Sequence, residues 1–455
     1  MSEISIARID ATQGDFDSAL KALRNRLSPS GNVVSERGKA LTQKVFGQPL
    51  TPDQVVERIC SDVRQQGTPA LLHYCEQLDG KSLSKDQLRI SQKALETAHS
   101  KASSQFLETI RRIRENILRF QTSILHKNIS IQPSIGVTLE QRYLPLRRIG
   151  ICVPGGAAAY PSSVLMTVVP AQAAGVEQIA IVAPPTAYGA YNPDILAVCH
   201  ELGIREVYAI GGAQAVAALA YGVPEIPAVD KIVGPGNLFV ALAKRHVYGQ
   251  VDIDSIAGPS EVIVIADETT PPEFAASDLL AQAEHSPGSS IVISWQKDVL
   301  DAIYHALCRQ VDQLERSQLT IDSLESFGAM ILARDEAHAC EITDQIATEH
   351  LHIAIENPRR LLPRIRNSGA TFLGPYSPVA LGDYAAGPSH VLPTGGTARW
   401  ASGLSSNHFL RSSSVIEYSR EALSTVAADV ELMATCEGLT AHRESVAIRY
   451  PKGTV

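Results

Sequence analysis

The 455-residue chain predicts an α/β protein built on parallel sheets with helices on both faces. Two observations carry that prediction. From about residue 148, short apolar runs end in Gly/Pro loops and lead into helix-like stretches, roughly every 25 to 30 residues, the pattern of right-handed βαβ units. Hydrophobic residues make up 45% of the chain and aromatics only 5%, which describes a soluble core of Ala, Leu, Ile and Val. The length calls for two or more domains.

In chain order, residues 1–128 read as helical, in DSALKALRNRL, TPDQVVERICSDVRQQG and SQKALETAHSKASSQFLETIRRIRENILRF. Thr51-Pro52 opens one of these helices, with threonine as cap and proline at the first helical position. RRIGICVP, EQIAIVAPP, REVYAIGG and DKIVGPGN are strands, each followed by a helix such as SSVLMTVVPAQAAG or AQAVAALAYG. These make residues 148–257 one Rossmann-like, dinucleotide-binding type of unit. EVIVIAD, SSIVISW, AMILA, HLHIAI and ATFLG continue the pattern over 258–400. Residues 1–147 are their natural complement, giving a second Rossmann-like domain that is discontinuous in sequence. The tail, 401–455, holds the strand SSSVIEY and two helices, and is too small for its own core, so it must dock elsewhere.

Composition removes several classes of function. Net charge is −8 with no block of Lys/Arg, which argues against nucleic acid as a partner. No run of 18 uncharged apolar residues exists, so no membrane span is expected. MSEISIARIDATQGDF is acidic and lacks an apolar centre, unlike a signal or transit peptide. Seven cysteines, an odd number without CxxC, suit reduced thiols in the cytoplasm.

The stretch DLLAQAEHSPGSS, residues 278–290, poses the sharpest chemical question. Ala275, Leu279 and Gln282 share one helix face, and Ser286-Pro287-Gly288 stops the helix. Gln282 and His285, three apart, therefore face the protein's own interior, where an unsatisfied amide is costly. A backbone carbonyl would satisfy the glutamine; so would a metal ion. His350, His390 and His442 also lie in polar or glycine-rich company, and Asp383 shares the loop GDYAAGPSHVLPTGG with His390. Nitrogen and oxygen donors without thiolate suit an open Zn²⁺, Co²⁺ or Mn²⁺ site. Glu349-His350 joins a helix to a strand, and neighbours can serve one pocket only from such a strand end; it is either a polar surface turn or an acid/base pair.

Nucleotide binding has weaker local support. There is no G-x-G-x-x-G, but Pro154-Gly155-Gly156, Gly211-Gly212-Ala213-Gln214 and Gly234-Pro235-Gly236-Asn237 each link a strand to a helix. Such loops serve equally as plain turns or as phosphate cradles. Asp79-Gly80-Lys81-Ser82 fails as a P-loop because Cys75 stands where the first glycine is required. No H-E-x-x-H occurs.

Taken together, GTPALLHYCEQLDG, VPGGAAAYPSSVLM, GGAQAVAALAYG, VGPGN, AGPSEVIVIAD, DLLAQAEH, ATEHLHI, LGDYAAGPSHVLPTGG and GLTAHRESV resemble the histidinol dehydrogenase family, in the family's order and over nearly the whole chain. The resemblance implies oxidation of L-histidinol to L-histidine in two NAD-dependent steps through a bound aldehyde, with one zinc ion per subunit. It implies Gln282, His285, Asp383 and His442 as zinc ligands, His350 as base on the hydroxyl, and Glu349 as activator of water. Ser260, His390 and Glu437 match positions that line the substrate pocket with these ligands and His350. Cys152, Gln214 and Asn237 match dinucleotide contacts, although many members carry an aromatic residue where this chain has Cys152. A homodimer is implied, with the C-terminal segment, including Glu437 and His442, contributed in trans. Cys152 also invites a thiol-nucleophile reading, against which its apolar neighbours argue.

Overall fold

The computed structural model describes residues 3–27 and 36–449, apart from Ala157, Ala257 and Ser286; the helix stop expected at Ser286 thus lies outside the described residues. Two parallel sheets and one antiparallel sheet organise the chain. The strands are β1 (Ala7–Asp10), β2 (Ile129–Ser134), β3 (Val137–Pro145), β4 (Arg148–Cys152), β5 (Gln178–Ala183), β6 (Glu206–Ala209) and β7 (Lys231–Val233). They continue as β8 (Asp252–Ile253), β9 (Ser260–Ile265), β10 (Gly288–Ser294), β11 (Ala329–Leu332), β12 (His350–Ile353), β13 (Ala370–Leu373) and β14 (Leu410–Tyr418). The five-stranded sheet runs β6-β5-β4-β7-β8 and the six-stranded sheet β1-β11-β10-β9-β12-β13, all parallel.

Strand alternation divides each parallel sheet between two cores. In the five-stranded sheet Cys152, Ala180, Val182, Tyr208 and Ile232 face one core, and Ile149, Ile151, Ile179, Ile181 and Val233 the other. In the six-stranded sheet Val262, Val264, Val292 and Met330 oppose Ile263, Ile265, Ile291, Ile331 and Leu351. Each of these Ile, Val or Leu side chains contributes ~1.5–3 kcal/mol by leaving water.

The N-terminal region does not pass to the second sheet as a block, as the sequence led us to expect. Among the described residues, Ile4, Ile6, β1 and the helix Phe16–Leu27 pack there. The helices Pro52–Gln66 and Thr68–Asp79 cover one face of the five-stranded sheet through Val55, Ile59, Val63 and Leu71. Gln92–Lys101 and Ser104–Ser123 cover the other through Leu95, Ile110 and Ile117. Backbone bonds fix the placement: Ile90 N–H donates to Val207 O at 2.8 Å, and Ala209 N–H to Leu88 O at 2.7 Å, both on the edge strand β6.

The tail docks by pairing β14 along the full length of β3, from Leu410 opposite Pro145 to Tyr418 opposite Val137, with β2 on the other side. It covers little. Every residue of β2 is exposed, and so are Ile416 of β14, Leu432 and Met433 of the helix Arg420–Cys436, and Ile448 just past the helix Thr440–Ala447. Among the described residues no helix is long and apolar enough to cross a membrane, and all seven cysteines are free thiols.

Candidate active site

A cavity of about 780 Å³ lies between the two parallel sheets. Pro154, the Gly234–Asn237 loop and Asp254 form one wall. Ser260, His285, Glu349, His350, Asp383 and His390 form the other. The structure thus brings together most of the acid/base, substrate and metal residues that the sequence singled out.

The helix Pro272–Ala283 supplies Gln282. Its buried positions, Ala275, Ala276, Asp278, Leu279, Leu280, Gln282 and Ala283, form one stripe against β9 and β10. The helix ends at Ala283, so His285 reaches the cavity from the turn beyond it and is open to solvent there. Gln282 is buried, and its Oε1 lies 3.1 Å from His350 Nδ1. The same Nδ1 lies 3.1 Å from the backbone carbonyl of Glu261. Both neighbours are acceptors, so Nδ1 carries the proton and Nε2 keeps its lone pair. That Nε2 has no hydrogen-bond partner and sits 3.9 Å from Asp383 Oδ1. Burial pushes the His350 pKa down to about 4, so the ring is neutral at physiological pH.

His350 is the first residue of β12 and Glu349 precedes it, the strand-end position at which two neighbours can serve one pocket. Ala347, which closes the preceding helix at φ 56°, is the one non-glycine residue with positive φ among the described residues. Such strain persists where the surroundings over-determine it. Glu349 Oε2 accepts from Glu261 N–H at 2.9 Å. Burial raises its pKa well above the usual carboxylate range, and the nearby Glu261 and Asp383 carboxylates raise it further. Burial lifts Asp383 to about 6. It pushes His390 down to about 4; His390 Nδ1 donates to the Asp383 carbonyl at 3.0 Å, and Nε2 lies 3.4 Å from Ser163 Oγ. The His285 pKa is also lowered, chiefly by desolvation.

Gln282 Oε1, the His285 ring and the Asp383 carboxyl are oxygen and nitrogen donors of the kind a divalent cation takes, although Gln282 Oε1 here meets His350 Nδ1. Gln282 Nε2, a donor, and His350 Nε2, an acceptor, are buried polar atoms without partners. Among the described residues no group of three or more His, Cys, Asp or Glu is gathered around a metal position. The expected set places only two of those types, His285 and Asp383, in one chain's cavity, because Gln282 is an amide and His442 is elsewhere. His442 and Glu437 are exposed on the tail and do not line this chain's cavity.

Of the expected dinucleotide contacts, Asn237 alone opens on the cavity, where its Oδ1 caps the helix Leu238–Val247 by accepting from Val240 N–H at 3.1 Å. Gln214 is buried off the cavity, donating to Asp79 Oδ2 at 3.1 Å, with its Oε1 unpartnered. Cys152 is buried as well. Desolvation pushes its thiol up to about 12, which removes it as a nucleophile.

Sequence reasoning missed Glu261. It is buried, its backbone touches both Glu349 and His350, and its Oε1 accepts from Gly395 N–H at 2.9 Å. A charged residue opening the otherwise apolar run EVIVIA was the available signal. Thr394, whose Oγ1 accepts from Gly258 N–H at 2.6 Å, ties the same two segments and was also passed over.

Comparison with known proteins agrees with this geometry. A family model described as histidinol dehydrogenase matches residues 48–450. A histidinol dehydrogenase from Rhodopirellula baltica is 61% identical over 450 residues, covering 98% of each chain. One from Heliobacterium mobile is 44% identical over 87% of this chain and 93% of its own. The crystal structure of histidinol dehydrogenase from Elizabethkingia anophelis superposes with a TM-score of 0.88, at 31% identity and 99% coverage of both chains. The chain belongs to the histidinol dehydrogenase family of NAD-dependent oxidoreductases.

Proposed function

We propose that the protein oxidises L-histidinol through the bound aldehyde to L-histidine, the end of histidine biosynthesis, using zinc and two NAD per turnover. The observation that carries this reading is the neutral His350, whose free Nε2 lone pair points toward the cavity beside Asp383. A base must be unprotonated and must have a lone pair aimed at the proton it takes. His350 meets both conditions and accepts the hydroxyl proton. Glu349, once ionised, takes a proton from water in the second oxidation. Ser260, His390 and the other cavity side chains hold the substrate, and Asn237 with its glycine loop receives the dinucleotide.

Gln282, His285 and Asp383 would hold zinc, with His442 of a second copy completing the set. Zinc supplies an orienting template and Lewis-acid charge at the substrate. The exposed apolar side chains of the tail support a homodimer, because apolar patches of that kind mark contact surfaces. Its Glu437 and His442 would then enter the partner's cavity. A cytoplasmic location fits the free thiols.

Purified enzyme should form two NADH per histidinol, lose activity on chelation and regain it with zinc. A yield of one NADH, or full activity in metal-free protein, would contradict the reading.

A further inference from the structure

The helix Pro272–Ala283 and strand β12 are joined by more than the Gln282–His350 contact. One turn earlier on the helix, Asp278 Oδ2 lies 2.7 Å from His352 Nδ1, and both residues are buried. His352 Nε2 donates to the backbone carbonyl of Gly374, just past β13, at 2.8 Å. A carbonyl only accepts, so Nε2 holds a proton, and Nδ1 meets the Asp278 carboxyl at ion-pair distance outside hydrogen-bond geometry. The pair thus joins the helix to β12, and through the Gly374 carbonyl to the end of β13.

The spacing of these contacts matches across the two elements. Residues 278 and 282 are one helical turn apart, a rise of about 6 Å. Residues 350 and 352 point to the same face of the strand, about 6.6 Å apart. Helix and strand run in opposite directions, so Asp278–His352 and Gln282–His350 form two successive rungs between them. The upper rung is the reactive one. It is made of an amide and a neutral ring at 3.1 Å, and each has a further nitrogen without a partner. The lower rung adds a second, shorter contact between the same helix and strand.

We infer that Asp278 and His352 are positioning residues: their buried contact fixes the height of the helix against β12 and so aims Gln282 at the metal and His350 at the substrate. This rests on the metal-site reading given above. It gives a specific role to a buried polar pair that touches neither substrate nor cavity.

The test replaces the lower rung by an apolar one, Asp278→Leu with His352→Leu, so that no buried charge is left alone. Zinc affinity is read by competition with a chromophoric chelator, and metal-free stability by thermal unfolding. The expected result is a zinc Kd raised about 10- to 100-fold while the metal-free protein unfolds within a few degrees of wild type. Wild-type zinc affinity in that variant overturns the inference. If the double variant does not fold, Asp278→Asn decides instead: weaker zinc binding is expected, and unchanged affinity overturns the inference. His285→Ala serves as the control for the site itself. Should it bind zinc as wild type does, the metal reading fails, and the rung is then judged by kcat against KM for histidinol. In the double variant kcat falls with KM near wild type if the rung positions His350, and both stay at wild type if it does not.

Discussion

The two parallel sheets meet the cavity with opposite ends. The five-stranded sheet presents the carboxyl ends of β4 and β7, and the helix Leu238–Val247 points its N-terminus there, capped by Asn237. The six-stranded sheet presents the amino ends of β9 and β12, where Ser260 and His350 are the first strand residues. There the helix Pro272–Ala283 arrives with its C-terminus, bringing Gln282 and then His285. Helix dipoles make the first wall partly positive and the second partly negative. The first suits phosphate, as in other open α/β sheets. The second suits a cation. One architecture used in two orientations thus provides two polarities within a single cavity.

The largest expected effect separates the two walls. His350→Ala should lower kcat ~10²- to 10⁴-fold and leave KM for NAD near wild type. Asn237→Ala should instead raise KM for NAD and cost about 1 kcal/mol of stability through the lost cap. Asn237→Ser restores the cap, so a KM defect that persists in it belongs to the dinucleotide. If His350→Ala and Asn237→Ala changed the same constant, the division of labour between the walls would be wrong.

The sequence made the walls legible to different degrees. The parallel strands were readable because both faces are covered, which leaves near-continuous apolar runs such as IVIS and VIVI. β1, only four residues at a sheet edge, gave no such run, and β2 and β3 were missed because an exposed antiparallel sheet tolerates polar residues on both faces. The burial of Gln282 followed from helical periodicity. Its contact with His350 did not, because it joins positions 68 apart in the chain. The Asp278–His352 pair was invisible for the same reason, and Glu261 showed only as a charge at the head of an apolar run: a carboxyl's role depends on what faces it across the sheet.

A smaller effect concerns the tail, whose polar site candidates lie outside the cavity of their own chain. Mixing inactive His350→Ala and His442→Ala subunits tests whether they serve another. With random exchange half the dimers are mixed, and each mixed dimer has one intact site, so about a quarter of wild-type activity should return. If each site were built from one chain, none would return. Measuring activity against mixing ratio, with unmixed variants as blanks, distinguishes the two.

The smallest effect lies where the two carboxyls of the catalytic wall crowd each other. Burial pushes Glu261 up to about 8 from an ordinary value of 4.5, despite the hydrogen bond from Gly395 N–H. A pKa raised in the folded state gives stability that is fully present below the unfolded value and is lost as pH rises through the folded one. Glu261 should therefore destabilise metal-free protein progressively between pH 4.5 and 8, by at most ~1.4 kcal/mol per pH unit. Glu261→Gln keeps an acceptor for Gly395 and cannot ionise. The variant should gain stability over wild type as pH rises through that window, read from unfolding midpoints of both proteins at each pH. The buried histidines titrate in both proteins, while Glu349 loses the upward push of the Glu261 charge in the variant, which adds to the same gain. Activity should stay within a few-fold of wild type, because Glu261 acts on Glu349 and His350 through its backbone, which the substitution leaves in place. A difference that stayed flat with pH would mean that Glu261 is already ionised in the native protein and that its Oε2, unpartnered here, meets a donor.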